Sequence, residues 1–200
     1  MGDATATIVE MGGLVGYLKR GTITKCYSTG NILANNGGES GGLVGNILAG
    51  TITKSYSTST IATGTSSFVG GLVGNVYTAT ITDVYARGNV TGNQWAGGLI
   101  GYLGGGATFS NGYSTGTVVG GNPSGGLLGD IGATAHSSFW LTGTAAGTTG
   151  ESGGTVATAA EMTTTDTGGV NGIIDIYENA GWDGTTIWDL TPGAYPTLRP

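Results

Sequence analysis

The sequence predicts an all-β fold, a three-sided parallel β-solenoid, and three observations carry that prediction. The pentapeptide Gly-Gly-Leu-Val-Gly or a close variant recurs at Gly12, Gly41, Gly70, Gly97 and Gly125, spaced 29, 29, 27 and 28 residues apart. Self-similarity at such a period marks units that bury their apolar faces by stacking on one another. Each unit holds three short β-prone runs separated by Gly, Asn or Ser turns. Thr, Val, Ile and Gly dominate throughout, and the apolar spacing never sustains a helical period. A four-stranded blade needs about 40 residues, so these units suit one turn of a solenoid better. The expectation is about five coils of 27–29 residues. Each pairs in parallel with the next about 4.8 Å away, and the winding is right-handed, as parallel connections are by rule. The solenoid spans residues 1–141, a Gly/Thr/Ala-rich connection spans 142–158, and 159–200 form a C-terminal cap packed on the last coil.

In the first run of each coil, Leu14, Gly16 and Leu18 share a side. Their equivalents Leu43/Ile47, Leu72/Val76, Leu99/Leu103 and Leu127/Ile131 stay apolar, so this set points inward. Tyr17, Asn46, Asn75, Tyr102 and Asp130 then point outward. Alternation also places Val15, Val44, Val73, Ile100 and Leu128 outside; either they form an exposed apolar stripe, or the following Gly makes a corner that turns them in. In the second run Ile23, Ile52, Ile81 and Phe109 point inward. Their neighbours Thr22/Thr24, Thr51/Thr53, Thr80/Thr82 and Thr108/Ser110 therefore form two outward ranks. Tyr27, Tyr56, Tyr85 and Tyr113, followed by Phe139, make a stacked aromatic ladder whose side alternation leaves open. Lys54 lies over Asp83 as an exposed cross-coil pair.

After Trp140 the period is lost. Structure returns near Ala159, where Ala159–Met162 suit a short helical turn, and Ile173–Trp188 are too apolar and aromatic for a linker. A terminal unit of this kind is what an open last coil needs. No comparable N-terminal cap is visible, so the first coil is open to another chain, end to end. Met1-Gly2-Asp3 begins almost inside a repeat without a signal-peptide core, and reads as the start of an excised domain or processed chain.

Composition narrows the function. The 43 glycines are periodic, and 38% hydrophobic residues in register line a narrow core. Residues 1–129 carry a net charge of +1 and residues 130–200 a net of −7, a balance that argues against nucleic-acid binding. No apolar run approaches the roughly 20 residues of a membrane span. Cys26 is the one cysteine and His136 the one histidine, which leaves no cysteine cage and no two-histidine metal site; no metal or cofactor is expected. General acid/base chemistry needs two converging carboxylates. Glu39 and Asp83 lie far apart in the alignment, and Asp175, Glu178, Asp183 and Asp189 sit in turn and cap contexts, so no catalytic residue is assigned.

The units GGLVG…GTITKCYSTGNI and GGLVG…GTITKSYSTSTI resemble the GLUG repeat of large bacterial surface proteins, which include adhesins and a class of secreted peptidases. The tail AEM…AGWDGTTIWDL…YPTLRP is similar to the segment that closes such arrays. The resemblance implies a non-enzymatic structural or adhesive module, extracellular or at the cell surface. Its partners are then a glycan or protein on a cell surface, or further copies in an end-to-end oligomer or fibre. The residues alone suggest an alternative: Thr22, Thr24, Thr51, Thr53, Thr80, Thr82, Thr108 and Ser110 form a grid similar to the ice-binding face of antifreeze solenoids. A polysaccharide-active β-helix enzyme is a minor alternative.

Overall fold

The computed structural model describes residues 10–34, 38–65, 68–121, 123–145, 154–164 and 175–200. Its strands stack in parallel into a β-solenoid of four complete coils and a partial fifth. Each complete coil contributes strands to four sheets, where the sequence suggested three strands per unit. In the second coil these are Glu39–Gly41, Val44–Ile47, Thr51–Ser57 and Ile61–Thr63, which join sheets A, B, C and D respectively. The strand the sequence hides is that of sheet A, two or three residues long and ending on the first glycine of each Gly-Gly pair. Segments such as Ala96–Gly97 and Ser124–Gly125 carry no β-propensity and read as turns; stacking on neighbouring coils makes them strands.

Two apolar cores run along the axis. Sheets B and C enclose the larger one, with Leu43, Val44, Ile47, Ile52 and their equivalents in the next two coils buried. Sheets D and A enclose a smaller one around Ile61, Val69, Val90, Ala96 and Val118. Between them the Gly-Gly corner touches the end of sheet C: the Ser28 hydroxyl donates to the Gly42 carbonyl at 2.5 Å, and Ser114 does the same to Gly126. A side chain cannot enter this waist, since a Cβ on Gly42 would lie 2.1 Å from both the Gly71 carbonyl oxygen and Ser57 Oγ.

The valine ladder faces inward. Val44, Val73, Ile100 and Leu128 are all buried in the larger core, and Val15 packs against it. Alternation fails at the next residue, where a Cβ on Gly74 would sit 2.7 Å from the Ser40 backbone nitrogen. Val44 and Ile47, three positions apart, therefore both reach the core, and Asn46 lies between them on the other side. That outer side is not uniformly solvated, contrary to the alternation pattern. Tyr17 is 46% exposed, but Asn46 and Asn75 are buried. The ring of Phe68, on sheet A, lies 5.2 Å from that of Tyr102 on sheet B and 4.9 Å from that of Trp95 in the next coil. Leu14 is the exception among the inward leucines, 49% exposed on the first coil.

The tail is built on the flank of sheet C. Thr155–Ala157 pairs with Phe139–Leu141 and extends that sheet by one strand. Thr158 then caps the helix Ala159–Thr163 through a capping box with Glu161, whose carboxyl is held below the usual range by these hydrogen bonds. The helix Asp175–Asn179 and the antiparallel pair Trp188–Asp189 with Thr197–Leu198 complete the cap.

Candidate functional site

Sheet C carries both candidate ladders, and one backbone device separates them. Lys25, Lys54, Asp83, Asn111 and Ser137 occupy the same position in successive coils, all with φ between 48° and 53°. A non-glycine residue in the left-handed region is uncommon, with Asn and Asp best suited to it. This kink shifts the inside–outside phase of the strand. Ile52 points in before it, Ser55 and Ser57 point in after it, and Tyr56 is turned outward. Uninterrupted alternation from Ile52 would have put Tyr56 in the core.

Before the kink lie the threonines. Thr22, Thr51, Thr80 and Thr108 are in register in one rank, and Thr24, Thr53, Thr82 and Ser110 in the other. All are exposed or half-buried. Two pairs bond along the ladder, Thr108 Oγ1 to Thr80 Oγ1 at 3.1 Å and Ser110 Oγ to Thr82 Oγ1 at 3.3 Å. The face ends at the fifth coil, where His136 pairs with Ser110 in register and a recess of about 400 Å³ opens beside Thr108 and Thr134.

After the kink lie the tyrosines. The rings of Tyr27, Tyr56, Tyr85 and Tyr113 stack with centroids 5.1, 4.6 and 5.2 Å apart and planes within 13° of parallel. Their surroundings are unequal. Tyr27 is 60% exposed, whereas Tyr85 and Tyr113 are buried under Tyr177, Trp182 and Trp188. The cap therefore roofs the C-terminal half of the ladder, in addition to meeting the last coil. Trp182 Nε1 donates to the Ser137 carbonyl at 2.7 Å and Trp188 Nε1 to Asp83 Oδ1 at 3.2 Å. Asp83 also accepts from Asn111 at 3.2 Å. The expected Lys54 partner of Asp83 is thus replaced by these two donors, and Lys54 lines a separate groove.

Arg87 fastens the C-terminal strand to the ladder. Its Nε donates to the Tyr113 hydroxyl at 2.8 Å, its Nη2 to the Pro196 carbonyl at 2.7 Å, and its guanidinium lies 4.7 Å from the Tyr85 ring centre. The Tyr113 hydroxyl donates in turn to the Pro196 carbonyl at 2.6 Å. Burial pushes the Tyr85 pKa up to about 12, and raises those of Tyr113 and Tyr177 in the same direction. In the cap, Asp183 and Asp189 close turns by accepting from Thr185, Thr186 and Thr191, bonds that hold both carboxyls below their usual range. Among the described residues no three His, Cys, Asp or Glu side chains are grouped to hold a metal, and no helix is long and apolar enough to cross a membrane.

Two segments, residues 10–33 and 66–91, match the GLUG motif. Those two segments carry the GLUG motif. The matched segments fall on the first and third coils, and the second coil stacks in register between them. Searches of curated proteins and of solved structures gave no match. The Tyr-ladder roof and its Arg87 anchor escaped the sequence reading. Its one signal was the tail's density of Tyr and Trp, which matches the stacked rings it covers.

Proposed function

We propose that this GLUG solenoid is a non-enzymatic adhesive module of a bacterial surface or extracellular protein, and that sheet C is its contact face. The observation that supports this reading is the unequal covering of that face. The cap spends its aromatic residues on Tyr85 and Tyr113 but leaves the Thr ranks and Tyr27 open to solvent. Hydroxyl ranks on a stacked sheet offer directional hydrogen bonds, and an open tyrosine offers a flat apolar platform, the pairing of features that recognises sugars and polar protein surfaces. Binding of the purified chain to a glycan panel and to bacterial and host cells tests it. The expected result is saturable binding that falls at least tenfold in Thr53→Tyr or Tyr27→Ser with the melting temperature nearly unchanged. Equal binding by both variants and wild type would overturn the assignment of the face.

A second reading rests on the register of the two Thr ranks, whose spacing of about 4.8 Å between coils and 6.7 Å along the strand suits ordering of surface water. It predicts thermal hysteresis and shaped ice crystals for the wild type, lost in Thr53→Tyr. A folded chain without hysteresis removes it.

A further inference from the structure

Beside the open end of the tyrosine ladder lies a groove of about 230 Å³, formed by Lys25, Tyr27, Lys54, Tyr56 and the tail residues Leu198–Pro200. Three of the chain's six Lys and Arg residues line it, in a protein of net charge −6, and no Asp or Glu side chain does; the Arg199 charge also acts on Asp189, whose carboxyl is already bonded by Thr191. Lys25 and Lys54 occupy the same position of adjacent coils, where like charges repel. Both hold left-handed backbone (φ 52° and 49°) that would suit Asn or Asp better, as the later coils have it at Asp83 and Asn111. Arg199 is held from the opposite wall, its Nε donating to the Trp188 carbonyl at 2.9 Å and its Nη2 to the Gly184 carbonyl at 3.0 Å. Tyr27 lines the same groove, with one ring face on Tyr56.

We propose that this groove is a subsite for a carboxylate-bearing saccharide: the acid group sits among Lys25, Lys54 and Arg199, and the flat face of the sugar ring lies on Tyr27. The inference rests on the adhesive reading and gives its ligand a chemical class. Charge complementarity selects an anion. The exposed ring selects a sugar over an acidic peptide, since a peptide needs the cations alone. The groove is smaller than the roughly 300–1,000 Å³ of sites for drug-sized ligands, which fits one unit of a chain that continues along the surface.

Titration calorimetry of the full chain with oligogalacturonate, its methyl ester, sialyllactose and an oligoglutamate peptide tests this. The expected result is binding of at least one carboxylated saccharide and not of the ester, weakened at least tenfold by Lys54→Gln and by Tyr27→Ser, and unchanged by Lys19→Gln outside the groove. Circular dichroism establishes that each variant is folded. Binding to neither acidic sugar overturns the proposal, as does binding of oligoglutamate with equal affinity and no effect of Tyr27→Ser. If the acidic sugars fail while cells or neutral glycans still bind, the adhesive reading stands without this subsite; if nothing binds, both fall.

Discussion

Tyr27 and Tyr113 are the same residue of the same repeat, three coils apart on one stacked ladder, and they live in opposite surroundings. Tyr27 is 60% exposed at the edge of a cationic groove, and Tyr113 is fully buried between Arg87, Trp182, Trp188 and the Pro196 carbonyl. A repeat fixes the direction in which a side chain leaves its coil. What it meets there is decided by the non-repeating tail, which turns a uniform ladder into a structural half and an available half.

Truncation should separate the halves most sharply. Tyr113→Ala removes a fully buried ring and is expected to cost about 3–5 kcal/mol, while Tyr27→Ala costs about 0.5–1 kcal/mol, the worth of one stacked pair; urea melts of both variants measure the gap. Arg87→Met should cost about 2–3 kcal/mol by leaving buried oxygens without their charged donor, and Arg20→Met, on an exposed side chain, should cost nothing measurable. In the first variant tryptophan fluorescence should report release of the cap before the solenoid unfolds.

The halves should also part in alkali. The folded-state value of Tyr85 is raised by burial from 10.0 to about 12, so its contribution is fully present below pH 10 and is lost as pH rises from there toward 12. Tyr113 and Tyr177 shift in the same direction. The cap is therefore expected to detach above pH 10 in a pH-jump followed by tryptophan emission, with the Thr half of the solenoid keeping its far-ultraviolet signal. The smallest effect concerns Asp183, whose folded-state value is depressed by hydrogen bonds from Thr185 and Thr186. Its contribution is present above the ordinary carboxylate range and fades as pH falls through the depressed value. Asp183→Ala should therefore lower stability slightly at neutral pH and leave it unchanged in strong acid, which flattens the acid limb of the melting curve.

The repeats, the coil period, the inward Ile23/Ile52/Ile81 set and the two outward Thr ranks were legible because each follows from a local period of two and a global period near 28. The side of the tyrosines was not, because one left-handed residue per coil resets the phase, and Lys25 and Lys54 are not residues that announce such a kink. The sheet A strands were hidden for a related reason: segments such as Ala96–Gly97 and Ser124–Gly125 become strand only when the neighbouring coils align with them. Asn46 looked solvated because alternation gives the side of the strand on which a residue lies and not whether that side is covered. Nothing local in the tail says that its aromatic residues will seek Tyr85 and Tyr113 and stop short of Tyr27.

The most direct test of one ladder with two environments is nitration of tyrosine by tetranitromethane, followed residue by residue in peptide mass spectra. Fast modification of Tyr27, with Tyr113 and Tyr177 protected until the cap is released by Arg87→Met, is the predicted result. Modification of Tyr113 in the wild type at the rate of Tyr27 would contradict it.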